Sequence, residues 1–467
     1  MKNVLLIDFG STYTKLTAVD LENEKILGTA QSYTTVANDI NDGLNSGLAL
    51  LKEKIGDVSF DECYACSSAA GGLRMVTSGL VPELTSEAAK LASLGAGAKA
   101  VGMYSFELTE DDVEDIKALS PDIFLLTGGT DGGNSECIIH NARMLSTINP
   151  TFPIVIAGNR SAARQCERIL EGCEVYVCPN VMPKFGVLNI EPTQKQIREI
   201  FLNRIISAKG LSRAAQLLDD IMMPTPSAVL SAMELLSKGY DGEMGVGELL
   251  AVDVGGATTD IYSIADGMPE HMNTVYKGLP EPYAKRTVEG DIGMRYSISG
   301  IVDAAGLKKV SELSKLSEER VTELVNYLKQ NTDKVPNGDS ELEALDFALA
   351  SCAIAEAVSR HAGTITETFT MMGQTFVQEG KNLTKVKKIV VTGGSLIHTQ
   401  NTERIAAHAL YDPQQPQSLR PKKADVLVDR TYILAAMGLL SQHYPKAALR
   451  IMKKELEYHG YSEQENL

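Results

Sequence analysis

An apolar run that stops on an aspartate, turns through glycine and hydroxyl residues, and then resumes alternating hydrophobicity occurs twice in this chain. The first copy is VLLIDFGSTYTKLTAVD (residues 4–20) and the second is LLAVDVGGATTDIYSI (249–264). Each reads as two antiparallel strands joined by a glycine turn. Such a turn has no Cβ to keep an anion at a distance, so its backbone N–H groups can meet a phosphate. One Asp-x-Gly hairpin alone is more often simply a turn. Two copies, followed by the strand-to-glycine unit VKKIVVTGGSLIH (386–398), constrain the fold far more.

The chemistry of the three loops differs. In the first, Gly10, Ser11 and Thr12 can point N–H groups at one anion, and Lys15 can offset its charge if it folds back over the turn. Asp8 lies too close to that anion to bind it directly. Its expected work is to hold Mg²⁺ through water, because Mg²⁺ keeps several waters and takes few carboxylates. The second loop repeats the logic with Asp253, Gly255, Gly256, Thr258 and Thr259. Two aspartates on a metal-bridged polyphosphate would position its terminal phosphorus for attack, which makes Asp8 and Asp253 the catalytic and metal-holding candidates. The third loop, with Gly393, Gly394 and Ser395, has no nearby acid and suits backbone contact with a ribose or purine. None of the three is a Walker A motif, since no G-x-x-x-x-G-K-[ST] occurs.

Sixty acidic against 44 basic residues give a formal net charge of -16, which disfavours non-specific binding to nucleic acid or an anionic membrane. No apolar run approaches the roughly 20 residues that span a bilayer. The start MKNVLLIDFGST leads into a turn motif rather than a cleavage site, so a cytoplasmic location is expected. The seven cysteines are odd in number. Cys63 and Cys66 form a C-x-x-C that is either redox-active, half of a metal site, or two buried reduced thiols on a strand; the last reading carries most of the weight.

The 467 residues suffice for two or three domains. Residues 1–72, 200–245 and 425–467 are expected to form a first domain, and 246–424 a second with a helical subdomain at about 300–380. Between 73 and 199 strands alternate with helices, which argues for a parallel sheet as an inserted module or an enlarged first domain.

The ordered set of three loops resembles the superfamily of actin, the sugar kinases and the Hsp70-type chaperones. That resemblance implies an α/β fold with two ribonuclease-H-like domains around a nucleotide cleft, with ATP and Mg²⁺ as cofactors. PTPSAVLSAMELL and TYILAAMGLL resemble its two connecting helices through Ala228, Ala435, Ala436 and Gly438. ACSSAAGGLRM (65–75), LLTGGTDGGN (125–134), GNRSAARQ (158–165), MPTPSAVL (223–230) and KRTVEGDIGMRYS (285–297) together resemble the glutamate mutase (methylaspartate mutase) accessory proteins, essentially from end to end. The resemblance implies an ATP-dependent reactivating factor for a coenzyme-B12-dependent glutamate mutase. It would open the mutase so that adenosylcobalamin replaces a damaged cofactor. The chain itself lacks a B12-binding D-x-H-x-x-G.

Several residues keep two readings. Asp131, in TGGTDGG, is either a metal ligand or water-orienting catalytic acid, or a helix cap. Glu289 and Asp291 are nucleotide contacts or helix-start carboxylates, and Arg286 and Arg295 are phosphate or base ligands or salt-bridge partners. Two other functions stay in play: a small-molecule kinase of the same fold, and a nucleotide-binding scaffold without hydrolysis.

Overall fold

The structure is a computed structural model that describes residues 2–10, 12–34, 40–68, 73–208, 220–270, 272–371, 373–399 and 401–462. The chain divides into two units. One comprises Met1–Ala232, Gly278–Pro280 and Ala435–Ala448; the other comprises Met233–Lys277, Glu281–Leu434 and Leu449–Leu467.

In the first unit, β1 (Asn3–Phe9) pairs antiparallel with β2 (Tyr13–Asp20), and β2 with β3 (Lys25–Tyr33). On the other side of β1, β4 (Glu62–Ser67) runs parallel to it, and β10 (Asp220–Pro224) runs parallel to β4. The order third-second-first-fourth-fifth, with only the second strand reversed, is the ribonuclease-H-like sheet. β1 is central and apolar, and all its residues after Asn3 are buried, as a strand covered on both faces requires.

The second unit repeats this order. β13 (Leu249–Val254) pairs antiparallel with β14 (Thr259–Ile264), and β14 with β16 (Ala284–Glu289). β19 (Lys388–Thr392) and β20 (Ala424–Val428) continue in parallel on the far side of β13. Two ribonuclease-H-like sheets, one per unit, make this the duplicated α/β fold of the actin-like ATPases.

Three features bear on the boundaries, and the first two differ from the sequence expectation. First, residues 425–467 do not all join the first unit. β20 completes the second sheet, and β21 (Glu457–Ser462) pairs antiparallel with it, whereas Ala435–Ala448 belongs to the first unit. Second, the helical region ends at His361. Residues 364–370 and 373–379 form β17 (Thr364–Thr370) and β18 (Gly373–Glu379), and β15 (Thr274–Lys277) pairs with β18. Alternating threonines in TITETFT favour the pleated strand over the helix. Third, residues 73–199 carry a parallel sheet of β5 (Leu73–Gly79), β6 (Ala98–Ser105), β7 (Ile123–Leu126), β8 (Ile154–Ile156) and β9 (Val175–Val177), in the doubly wound order β6-β5-β7-β8-β9. One face of this sheet, including Met75 and Leu125, shares a hydrophobic core with Leu5, Ile7 and Phe9 of the first sheet. The module is inserted in the chain yet built into the first unit's core.

Two devices fix the helices. Gly438, in the helix Leu434–Leu440, lies so close to the helix Thr225–Lys238 that a Cβ would fall 1.9 Å from the Ala228 carbonyl oxygen. In the second unit, the buried His361 ends the helix Ser340–His361. Its Nε2 bonds Ser263 Oγ (2.7 Å) and its Nδ1 bonds Thr287 Oγ1 (2.8 Å). Burial, followed by the charges of Lys285 and Lys381, pushes its pKa well below the ordinary histidine value.

Gly438→Ala therefore costs about 1–3 kcal/mol through overpacking, whereas Gly394→Ala, where a Cβ meets open space, leaves thermal unfolding in place. His361 stays neutral in the fold while the unfolded residue takes up a proton below about pH 6.5. Stability is thus lost as pH falls below that value, by up to about 1.4 kcal/mol per pH unit. Melting curves at pH 7.5 and 5.5 should show a smaller acid-side loss in His361→Gln than in the parent.

Candidate functional site

The first hairpin turn is closed by one backbone bond, Gly10 N–H to the Tyr13 carbonyl (3.1 Å). A Cβ on Gly10 would sit 2.6 Å from that oxygen, so the turn needs glycine. Asp8 precedes it by two residues and stands opposite Lys15 in the β1–β2 register. The Asp8 carboxylate is 5% exposed. Its Oδ1 accepts a short bond from Thr225 Oγ1 (2.6 Å) and a weak one from Cys66 Sγ (3.5 Å). Lys15 Nζ approaches Oδ2 at 3.5 Å. Thr12 lies beside the turn, half-buried; Ser11 lies outside the described residues.

Burial, and then the neighbouring Asp8 charge, push the Cys66 thiol well above its ordinary pKa, so it stays protonated and donates. Cys63 and Cys66 are three residues apart on β4 and so face opposite ways, with Cα atoms about 10 Å apart, beyond the reach of a disulfide. Both are buried and outside any disulfide. Ser67 is a strand residue, buried under the Phe9 carbonyl, to which its hydroxyl donates (3.4 Å).

The second hairpin reproduces the turn: Gly255 N–H donates to the Thr258 carbonyl at 2.9 Å, and Asp253 again precedes the glycine by two residues. The residue opposite has the other charge sign, since Asp253 faces Asp260. Arg286 neutralises Asp260 in a buried pair, Nε at 2.8 Å and Nη2 at 2.6 Å. Gly256 is exposed and Thr258 half-buried. KRTVEGDIGMRYS braces this turn by backbone: Met294 N–H donates to Gly255, and Arg295 and Tyr296 donate to Gly256. Arg295 forks onto Asp346 (3.0 and 2.8 Å), and Arg360 bonds Glu289 (2.6 Å). Arg286 and Arg295 are thus ion-pair partners. Glu289 ends β16 and Asp291 lies in the turn after it, so neither begins a helix. An open pocket of about 650 Å³ beside this turn is lined by Asp291, Asp303, Ser297 and Arg360. Its two carboxylates oppose a polyphosphate.

The third loop abuts the second. Gly393 has φ 102°, and a Cβ there would lie 2.3 Å from the Val254 carbonyl oxygen. Gly394 is exposed and Ser395 half-buried in the short helix Gly394–Ile397. Asp429, which sequence reasoning missed, fixes this loop. Its carboxylate is buried and accepts from Thr392 Oγ1 (3.1 Å) and from the N–H groups of Ile433 (2.9 Å) and Leu434 (3.3 Å). Its signal was an aspartate directly after an apolar strand, as with the two hairpins. Thr225 was also missed.

Asp131 belongs to neither hairpin. It sits in the loop after β7, and its Oδ1 accepts from Arg160 N–H (3.0 Å) and Asn180 Nδ2 (3.0 Å). The N-cap of the helix Arg160–Ile169 is Asn159, which takes the Ser161 N–H, and Asp131 supplements it by taking the Arg160 N–H. Asp8, Gly10, Thr12 and Lys15 come together in the first unit, and Asp253, Gly255, Gly256, Thr258, Gly393, Gly394 and Ser395 in the second. Among the described residues no group of three or more His, Cys, Asp or Glu could hold a metal. A Mg²⁺ here would need phosphate and water to complete its shell.

The sequence profile of a family described as MutL protein matches residues 4–456. A relative from Clostridium tetanomorphum, described as Protein MutL, is 46% identical over 460 residues, covering 98% of this chain and 99% of its own length. Among solved structures, the activator of the 2-hydroxyisocaproyl-CoA dehydratase from Clostridium difficile aligns over 97% of this chain and 98% of its own, at 9% identity and a TM-score of 0.34. Ligand-bound xylulose kinase from Lactobacillus acidophilus aligns over 99% and 94%, at 12% identity and 0.36. Strand order and pairing, not these overlays, define the fold.

Asp131→Ala should lower stability by about 1–2 kcal/mol, as loss of a cap does. Hydrogen exchange localises the effect: the amide of Arg160 should lose protection, while that of Ser161, held by Asn159, and those of β1 and β2 keep theirs.

Proposed function

This chain belongs to the MutL protein family, and we propose that it is an ATP-dependent reactivating factor for a coenzyme-B12-dependent glutamate mutase. The observation that carries the ATPase part is the repeated turn, with the same closing bond and the same preceding aspartate in both hairpins. Gly10, Thr12, Gly255, Gly256 and Thr258 serve phosphate, as does Ser11. Gly393, Gly394 and Ser395 serve the nucleoside. Lys15, beside Asp8, offsets phosphate charge. Asp8 and Asp253 would hold Mg²⁺ through water; the partly engaged Asp8 carboxylate at a turn mouth fits that role. When bound, Mg²⁺ neutralises charge on the polyphosphate. The chain's own residues bind and orient the phosphates.

The mutase partner rests on the family resemblance of the sequence. Nucleotide binding would act by population shift, favouring the conformer that binds the inactivated mutase. A net charge of -16 opposes nucleic acid as partner. No helix among the described residues is long and apolar enough to cross a membrane, and we place the activity in the cytoplasm with its enzyme partner.

ATP hydrolysis is measured on the purified chain with and without cobalamin-inactivated glutamate mutase, followed by mutase activity after fresh adenosylcobalamin is added. Stimulated hydrolysis with recovered activity is expected. Asp8→Ala and Asp253→Ala should each lower Mg²⁺-dependent hydrolysis by roughly 100-fold or more with the fold retained. Binding of ATP without mutase recovery would remove the partner, and ADP formation only with a small-molecule acceptor would make the chain a kinase.

A further inference from the structure

We propose that Thr225 is the positioning residue of the first hairpin, deciding which oxygen of Asp8 is engaged by the protein and which is left for a metal-bound water. The inference rests on the ATP reading above and assigns a role that the loops themselves do not reveal.

Thr225 is 217 residues from Asp8 in sequence. β10 pairs with β4 in parallel, Met223 beside Cys66 and Pro224 beside Ser67, and this register carries the next residue to the end of β1. There its hydroxyl donates to Asp8 Oδ1 at 2.6 Å. A threonine hydroxyl has a single proton, so this bond uses its whole donating capacity. Charge-assisted bonds of this length are the strong ones. The competing donors are weaker: Cys66 Sγ reaches the same oxygen at 3.5 Å, and Lys15 Nζ reaches Oδ2 at 3.5 Å. Oδ1 is thus committed to the protein, and among the described residues Oδ2 carries only one long contact. With Asp8 buried, the carboxylate has few other ways to be held. Thr225 also opens the helix Thr225–Lys238, whose position is set by the close approach of Gly438 to Ala228.

The test separates metal from nucleotide. ATP binding is followed by thermal shift over a Mg²⁺ titration for the parent, Thr225→Val and Thr225→Ser, and ATP affinity without metal is measured in parallel. The expected result is a roughly tenfold or greater rise in half-saturating Mg²⁺ for Thr225→Val, as loss of a partner to a metal ligand produces. Metal-free ATP affinity should change by less than about twofold, and Thr225→Ser should restore the parent's Mg²⁺ dependence. A role confined to packing would move both measurements together, or neither. If Thr225→Val does not fold, Thr225→Ala removes the same hydroxyl and carries the same expectations. A parent-like Mg²⁺ dependence in the hydroxyl-free variants overturns the proposal. Absence of any Mg²⁺-dependent ATP binding in the parent overturns the ATP reading instead.

Discussion

The backbone bond from Gly10 N–H to the Tyr13 carbonyl, and its counterpart from Gly255 to Thr258, is the constraint around which both units are organised. Closing a strand pair within four residues brings the chain back antiparallel at once, which fixes the reversed second strand of each sheet. It also fixes register. With the turn set, Asp8 faces Lys15 and Asp253 faces Asp260, and a slip of one residue would send every core side chain to the wrong face. The fourth strand takes the remaining edge of the first, and it runs parallel because a helical crossover rather than a tight turn leads into it.

The same turn is used with unlike electrostatics. Opposite Asp8 stands a lysine that reaches its carboxylate, whereas opposite Asp253 stands an acid neutralised by Arg286. A cation directly across from the turn aspartate is thus peculiar to the first hairpin. The second contributes mainly backbone, held in place by the N–H groups of Met294, Arg295 and Tyr296. The duplication is one of geometry more than of charge.

Much of this was legible in the sequence because it is local. The two hairpins, the third glycine loop and the alternating strand–helix module all announce themselves within windows of about 15 residues. What escaped was non-local or a matter of competing periods. The strands at 364–379 sit next to a long helix, and their threonines had to outweigh that context. β20 looks, by composition, as much like a strand of one sheet as of the other; only its pairing with β19 decides. Thr225 becomes visible only when distant strands are laid side by side. Arg286 and Arg295 were open between phosphate and carboxylate partners because the identity of the residue across the strand or along the helix is set by register, not by spacing.

The parallel-sheet module leaves the first sheet along β4 and returns along β10, two strands that lie next to one another. Its departing tether therefore runs through Cys66 and its returning tether arrives at Thr225, the two residues that hold Oδ1 of Asp8. Besides resting on the first sheet's core, a domain of well over a hundred residues is joined to that sheet by two adjacent strands whose ends grip a single carboxylate oxygen. Any force on that domain, whether from a docked protein or from thermal drift, reaches the aspartate through covalent chain and two hydrogen bonds, a lever with a very short arm.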